Sequence, residues 1–273
     1  MDTTTVNGVE LEYEIIGSGE PVLLSSPAVP RGFLPLLSQP ALADRYRLIR
    51  YHRRGWAGST HTLPPVSIAD HAADAAGLLD HLGVRRAHVA GHSNSGPVVL
   101  QLALDRPDLV HTLTLLEPAL FTVPSAEVFF KQAGPSLEAY GAGDHERAVA
   151  GFLNAVSGLD WETCQAVIDE HVPGGIAQTV KDADTLFGIE LPAISAWAFG
   201  PEQAAAILKP VLSVLGTETV QLFVEGRTLV HSWFPQVEDC TIEGVGHLLH
   251  IQRPQPVARA MAQFLARNSM TAK

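Results

Sequence analysis

The stretch Gly91-His92-Ser93-Asn94-Ser95 decides the fold, because it joins a short apolar run (87–90) to a helix-like run (96–103). A turn this tight brings the two flanking backbones together, so the positions two before and two after Ser93 must be small. Here they are Gly91 and Ser95. Such a turn presents the serine hydroxyl beside the free N–H groups of a helix N-terminus. The pattern predicts that Ser93 is a nucleophile, although similar stretches also occur in ordinary strand-to-helix turns.

The composition is that of a globular chain without a basic surface. The 273 residues are 46% apolar and carry a formal net charge of -11. Nucleic acid and anionic membranes bind basic patches, so we expect neither as a partner. The cysteines, Cys164 and Cys240, lie far apart without metal-ligand spacing, which favours free thiols in a reducing compartment.

The N-terminal residues lack the basic and apolar regions of a signal peptide. No apolar run reaches the roughly 20 residues that span a bilayer. We therefore expect a soluble, cytoplasmic protein. The sequence leaves the oligomeric state open, with a homodimer as one option.

Strands alternate with helices in both terminal parts of the chain. Apolar or alternating runs predict strands at 9–15, 21–25, 46–51, 87–90, 112–116, 210–215 and 238–243. Helical periodicity predicts helices at 67–82, 95–105, 222–234 and 254–267. Such alternation implies an α/β fold with a largely parallel sheet. Between 121 and 199 only helices are predicted, at 127–131, 145–156 and 161–171. We expect a core of 1–120 and 200–273 with a helical cap, 121–199, inserted in it.

A serine hydroxyl needs a base to remove its proton, and twelve histidines compete for that role. His247 ends the segment 243–247, where two glycines after a predicted strand allow a sharp turn towards the sheet edge. We predict that His247 is the base, with His250 as the alternative. We expect six other histidines to be solvated: His61, His71, His81, His145, His171 and His231. No H-E-x-x-H motif or cysteine–histidine spacing is found, so no metal is expected.

Together these features resemble the α/β-hydrolase fold superfamily over essentially the whole chain. The resemblance is carried by 91–95, by 244–247 and by 51–59, which is similar to the family segment D-x-R-G-x-G-x-S. It implies a mostly parallel eight-stranded sheet with helices on both faces and a helical cap after strand six. It also implies catalytic residues in the order serine, acid, histidine. His52 and Ala57 depart from the Asp and Gly of the family segment, and we attach no loss of activity to them.

The oxyanion hole of such enzymes takes one backbone N–H from the residue after the nucleophile and another from the loop after strand three. That loop usually carries His-Gly in the family, whereas here it reads Ser25-Ser26-Pro27-Ala28. Pro27 has no N–H to donate. We therefore predict Ala28 and Asn94 as the two donors.

The acid of the triad has two candidates. The usual family position, three residues after the glycine that follows strand seven, is Thr219 here, which cannot ionise. Glu218 lies one residue earlier. Glu117 directly follows the strand 112–116, and in a subset of the superfamily, including some lactone hydrolases, the acid lies there. We favour Glu117 and keep Glu218 as the alternative acid. Glu117 could also be a structural residue that binds a loop.

Serine, histidine and an oxyanion hole suit acyl transfer without a cofactor. We expect hydrolysis of a carboxylic ester or lactone of a small, largely apolar substrate through an acyl-enzyme. The cap should line the pocket, and it offers seven aromatic residues, most of which we expect only to pack the cap onto the core: Phe121, Phe129, Phe130, Trp161, Phe187, Trp197 and Phe199. The alternatives on the same scaffold are a C–C bond hydrolase, a haloperoxidase-like enzyme or lyase, and a non-catalytic ligand-binding protein.

Overall fold

The computed structural model describes residues 1–271 and contains one eight-stranded sheet. The strands are β1 (Asp2–Val6), β2 (Val9–Ile16), β3 (Glu20–Ser25), β4 (Tyr46–Tyr51), β5 (Ala87–His92), β6 (Val110–Leu116), β7 (Val211–Gly216) and β8 (Glu238–Ile242). Their order across the sheet is β1-β2-β4-β3-β5-β6-β7-β8. Strands β3 to β8 are parallel, and β2 pairs antiparallel with β1 and β4. The predicted α/β class and mostly parallel sheet are confirmed.

Helices cover both faces of this sheet and fill the interval between β6 and β7. In the first part of the chain they are α1 (Leu34–Leu37), α2 (Pro40–Ala43), α3 (Ile68–His81) and α4 (Ser95–Asp105). Between β6 and β7 they are α5 (Ala126–Gly141), α6 (His145–Ser157), α7 (Trp161–His171), α8 (Gly175–Lys181), α9 (Ala183–Thr185), a π-helix (Leu186–Glu190), α10 (Leu191–Ser195) and α11 (Pro201–Ala205). The last are α12 (Gln221–Trp233), α13 (Leu249–Gln252) and α14 (Pro254–Arg267). None of these helices, within residues 1–271, has the length and apolarity needed to cross a bilayer.

Alternate residues of the central strands pack against opposite helical layers. In β3, Leu23 joins the apolar cluster formed with α3 and α4, whereas Val22 and Leu24 join the cluster formed with α14. All three side chains are at most 1% exposed. A strand covered on both faces is apolar throughout rather than alternating, which explains the continuous apolar run of 21–25.

We call the helices from α5 to α11, residues 126–205, the helical insertion. The apolar sides of α5 to α9 and of the π-helix form one cluster with core residues that include Ala28, Leu215 and Leu248, whereas Ala204 of α11 packs in the cluster of α3 and α4. Because Ala28 follows β3 and Leu215 is the last residue but one of β7, the insertion packs over the carboxyl edge of the parallel strands. Helix α5 is longer than the predicted 127–131, since it continues through Pro135 rather than ending there.

Candidate active site

Ser93 lies at the turn between β5 and α4 and has a left-handed backbone, with φ of 54°. A non-glycine residue in this region costs about 1–3 kcal/mol, and the conformation persists only where the surrounding structure holds it. Here the Ser93 N–H donates to Leu116 O at 3.1 Å, and the Ala119 N–H donates to Ser93 O at 2.9 Å. The end of β6 therefore holds the turn in its strained form.

The two small residues that flank Ser93 have different reasons to be small. A Cβ added to Gly91 would lie 2.6 Å from Ser95 O, so only glycine fits there. Ser95 has room for its side chain, and its hydroxyl accepts a hydrogen bond from the His92 N–H at 2.9 Å. The same hydroxyl lies 2.8 Å from Ser25 O, to which it can donate. The departure from a second glycine thus ties the turn to the end of β3.

A carboxylate and an imidazole meet at the carboxyl edge of the sheet. Glu117 follows β6 and His247 follows β8. Glu117 Oε2 lies 2.7 Å from His247 Nδ1. The Gly216 N–H donates to Glu117 Oε1, and the Thr219 hydroxyl donates to Oε2, both at 2.8 Å. Glu218 is exposed and has no bond to His247 within residues 1–271. Of the two carboxylates considered, Glu117 is the one that contacts His247. Thr219, at the position where the family usually has its acid, donates a hydrogen bond to Glu117.

Burial controls the protonation of this pair. It raises the pKa of Glu117 to about 7, although the hydrogen bonds from Gly216 and Thr219 lower it. Burial also lowers the pKa of His247, whose ring stacks on Phe223 with centroids 3.8 Å apart. The imidazole is therefore neutral at neutral pH and can accept a proton. Phe223 was not identified from the sequence, because it is one apolar position among several in α12.

Three buried histidine rings cluster around this contact. The His92 ring centroid lies 4.4 Å from that of His247 and 3.9 Å from that of His250. Nε2 of His92 lies 2.9 Å from the His247 carbonyl oxygen, to which it can donate. Burial and the neighbouring imidazoles lower the pKa of His92 and His250 far below the usual value. Neither ring nitrogen of His250 has a hydrogen-bond partner within residues 1–271, so this ring lacks the orienting carboxylate that His247 has. In the same residues, no three side chains of ligand type are placed to hold a metal ion.

The prediction that His71 is solvated is wrong. Its side chain is fully buried, with Nε2 3.7 Å from Glu190 Oε1, and burial lowers its pKa to about 4. The signal was present in the sequence, because position 71 lies at helical spacing between Ile68 and Ala75, on the inward face of α3.

Ser93 and His247 line one small cavity under the helical insertion. The loop after β3 contributes Pro27 and Ala28, and α6 contributes Phe152 together with Leu153 and Val156. The cavity measures about 20 Å³, room for about one water molecule. Within residues 1–271, no hydrogen bond joins the Ser93 hydroxyl to His247.

The seven aromatic residues of the predicted cap lie outside the lining of this cavity. Phe152, which we did not single out, does line it. Several of the seven pack against each other instead, for example Phe121 against Phe130 and Trp197 against Phe199. Their aromatic character stabilises the insertion and its contact with the core.

The two predicted oxyanion donors have free backbone N–H groups. Neither Ala28 nor Asn94 donates a backbone hydrogen bond within residues 1–271. Ala28 lines the cavity, and Asn94 is the residue at the start of α4 directly after Ser93. Unpaired N–H groups at a helix N-terminus favour negative charge. The arrangement can thus stabilise an anionic oxygen beside Ser93.

A model of the alpha/beta hydrolase fold family matches residues 23–254, so this chain belongs to that family. Among curated proteins, a putative carbamate hydrolase RutD from Azorhizobium caulinodans is 39% identical over 107 residues. The match covers 39% of this chain and 40% of that relative, so the chain spans less than half of the relative's length.

Two solved structures resemble the whole chain. An enol-lactonase from Burkholderia xenovorans LB400 has a TM-score of 0.78 at 22% identity and covers 97% of this chain and 100% of its own. A thermophilic esterase from Thermogutta terrifontis has a TM-score of 0.77 at 20% identity and covers 97% of both chains. Likeness at this level of identity shows the shared fold.

Proposed function

We propose that this protein is a serine hydrolase that cleaves carboxylic esters or lactones of small, largely apolar substrates through an acyl-enzyme. The observation that carries the proposal is the 2.7 Å contact between Glu117 and His247 at the cavity that Ser93 lines. A buried carboxylate that orients a neutral imidazole is the arrangement that activates a serine hydroxyl. No cofactor is needed for this chemistry.

In the first half of the reaction, Ser93 Oγ attacks the substrate carbonyl carbon while His247 Nε2 takes the hydroxyl proton. The carbonyl oxygen becomes an oxyanion and accepts hydrogen bonds from the N–H groups of Ala28 and Asn94. Each such donor is typically worth about 10²–10³ in rate. Glu117 holds the Nδ1–H tautomer of the imidazole and balances the charge of the imidazolium that forms.

In the second half, His247 gives its proton to the leaving alcohol oxygen as the C–O bond breaks, which leaves the acyl group on Ser93. Water then attacks the acyl carbon, and His247 takes a proton from it. Collapse of the second oxyanion returns that proton to Ser93 Oγ and releases the acid. A lactone would give one hydroxy acid, because its alcohol stays attached to the acyl chain.

The cavity lining supports a small apolar acyl group. Val29, Phe152 and Ile251 are among its apolar residues, and none of its lining residues within 1–271 is Asp, Glu, Lys or Arg. The enol-lactonase and the esterase of similar fold support lactones and esters as the substrate class. The relative named as a putative carbamate hydrolase adds carbamates, which react by the same acyl transfer. Because the cavity holds about one water molecule, the helical insertion must move to admit any of these, as a cap would.

The test is a substrate panel with the wild-type protein and Ser93→Ala. It contains p-nitrophenyl esters of increasing acyl length, γ- and δ-lactones, aryl carbamates and a β-diketone. We expect turnover of an ester, lactone or carbamate that Ser93→Ala abolishes, and labelling of Ser93 by a fluorophosphonate. Cleavage of the diketone alone would instead identify a C–C bond hydrolase. Labelling of Ser93 without any turnover would identify a non-catalytic binding protein.

A further inference from the structure

A buried ion pair joins the helical insertion to the core beside Ser93. Glu190 ends the π-helix of the insertion and Arg53 lies in the loop after β4, with side chains that are 0% and 1% exposed. Arg53 Nη2 lies 2.7 and 2.8 Å from the two carboxylate oxygens, and Nε lies 3.0 Å from Oε1. Trp56 Nε1 donates to the same carboxylate at 2.8 Å. Breaking such a pair from one side is costly, because it leaves a buried charge without a partner.

Each member of this pair also binds one of the two segments that carry the proposed oxyanion donors. Asn94 Nδ2 donates to Glu190 Oε2 at 2.7 Å. On the other side, Arg53 Nη1 donates to the carbonyl oxygen of Ser26, two residues before Ala28. The intervening Pro27 has a nearly fixed φ, so ψ of Pro27 is the one soft backbone torsion between the Ser26 carbonyl and the Ala28 N–H.

We infer that Arg53 and Glu190 are positioning residues that set both oxyanion donors in place when the helical insertion is docked on the core. The inference rests on the proposed function, because the donors matter only where an oxyanion forms. In this arrangement the oxyanion hole is assembled when the helical insertion closes on the core. When the insertion moves to admit a substrate, the amide of Asn94 loses its partner, and the hole is complete again only after closure.

The charge on Glu190 suits this role. Burial raises the pKa of its carboxyl group. The Arg53 guanidinium, His71 and the hydrogen bonds from Trp56 and Arg53 together outweigh burial, so the pKa lies below the usual value. Glu190 is therefore a carboxylate at neutral pH and accepts from the Asn94 amide. A hydrogen bond to a charged acceptor is about twice as strong as a neutral one.

The experiment reverses the direction of the hydrogen bond between Asn94 and Glu190. Asn94→Asp places two carboxylates against each other and should lower the rate constant of Ser93 labelling by a fluorophosphonate by about tenfold to a hundredfold. The paired variant Asn94→Asp with Glu190→Gln lets the new amide donate to the new carboxylate and should restore part of that rate, because Glu190→Gln also removes the charge that pairs with Arg53. With a substrate found in the panel, kcat should follow the labelling rate while KM changes by less than about threefold.

Asn94→Ala and Thr185→Val complete the set. Asn94→Ala removes the bond to Glu190 but keeps the ion pair and the backbone N–H, so it should also slow labelling without unfolding the protein. Thr185→Val removes another contact between the insertion and the core, the 2.6 Å bond from its hydroxyl to Gly55 O, which touches neither donor segment. It should label at the wild-type rate.

The outcomes separate this inference from the proposed function. If the wild-type protein is labelled and Asn94→Asp and Asn94→Ala are labelled at the same rate, the positioning role is overturned and the serine hydrolase stands. The same conclusion follows if Thr185→Val lowers the labelling rate as much as the Asn94 variants do. Absence of recovery in the paired variant, when its melting temperature equals that of Asn94→Asp, would also overturn it. Wild-type protein that resists the fluorophosphonate altogether would refute both.

Discussion

Ser93 and Glu117 share a backbone conformation that side chains rarely adopt, with φ of 54° and 44°. One is the proposed nucleophile and the other the proposed acid, and both directly follow a parallel strand. A left-handed turn at the strand end directs each side chain to the edge where His247 lies. Strain at such positions is often found at active sites, where the surrounding structure holds it.

Two substitutions of Ser93 should separate strain from chemistry. Ser93→Ala removes the hydroxyl but keeps the left-handed strain, and we expect kcat to fall by up to about 10⁶ with the fold intact. Ser93→Gly should be equally inactive but more stable than Ser93→Ala by about 1–2 kcal/mol, because glycine adopts this φ freely. Urea unfolding of both variants measures the difference. Equal stability of the two would contradict the argument from strain.

The choice of acid is tested by a matched pair of substitutions. Glu117→Gln keeps the shape of the side chain but cannot balance the imidazolium, so kcat should fall by about 10³–10⁴. Glu218→Gln alters an exposed side chain and should leave kcat within about twofold of the wild-type value. Steady-state kinetics on one substrate from the panel suffices. The opposite ranking would overturn the assignment of Glu117.

The pH dependence of kcat/KM should show an acid limb that belongs to His247 and Glu117 together. Their contacting atoms lie 2.7 Å apart, so the pair takes up its first proton as one unit. Burial raises the pKa of Glu117 to about 7, and catalysis needs the carboxylate beside a neutral imidazole. Activity should therefore fall as the pH falls through about 7. A wild-type profile that is flat from about pH 4 to 8 would exclude a histidine base.

The same measurement on Glu117→Gln gives the complementary result. No carboxylate then favours the imidazolium, and burial still lowers the pKa of His247. The small activity that remains should have its acid limb at a lower pH than that of the wild-type protein. An acid limb that does not move would mean that Glu117 does not share the proton.

At the scale of elements, α6 forms the wall of the cavity that faces Ser93. Phe152→Ala should enlarge the acyl site and raise the kcat/KM ratio of long over short p-nitrophenyl esters by about tenfold. Val149 lies on the same helix and is fully buried, but it does not line the cavity. Val149→Ala should therefore cost stability without changing this ratio. If both variants change the ratio equally, α6 acts through general loosening rather than as the wall of the site.

Elements with complete local signals could be predicted from the sequence. Helices α7 and α14 have the predicted bounds, because the Asp160 cap of α7, the proline that begins α14 and the apolar periodicity of both act within a few residues. The short helices α1 and α2 were missed, since four residues carry no periodicity and owe their form to packing against α14 and its cluster. At this scale the sequence predicts what is decided locally.

The site residues also differ in whether a local sequence pattern identifies them. Ser93 could be recognised because its turn has a local pattern, and His247 because two glycines precede it. The choice between Glu117 and Glu218 depends on how β6 and β7 are paired, where Leu116 lies beside Val214 and the Glu117 N–H donates to Val214 O at 3.2 Å. That register brings Glu117 beside Gly216, and no local pattern encodes it. Glu190 was missed for the same reason, because its partners lie far away in the chain.

At the scale of the whole molecule, buried histidines make the fold sensitive to acid. Burial lowers the pKa of His71, His92, His247 and His250 below the value near 6.5 that histidines have in the unfolded chain. The folded state therefore binds fewer protons than the unfolded state in this range. By linkage, the stability that depends on these groups is fully present above about pH 6.5 and is lost as the pH falls.

His71 allows this to be tested away from the reacting groups. A pKa of about 4 against 6.5 corresponds to roughly 3 kcal/mol of unfolding free energy, lost between those two pH values. His71→Leu removes the titration, and it breaks no hydrogen bond among residues 1–271, since neither ring nitrogen has a partner there. Urea unfolding at about pH 7.5 and pH 4.5 should show a smaller loss of stability on acidification for His71→Leu than for the wild-type protein. His81→Leu, on an exposed position of the same helix, should lose as much stability as the wild-type protein does. If His71→Leu loses as much as well, the acid sensitivity of the fold lies in the histidine cluster at the active site instead.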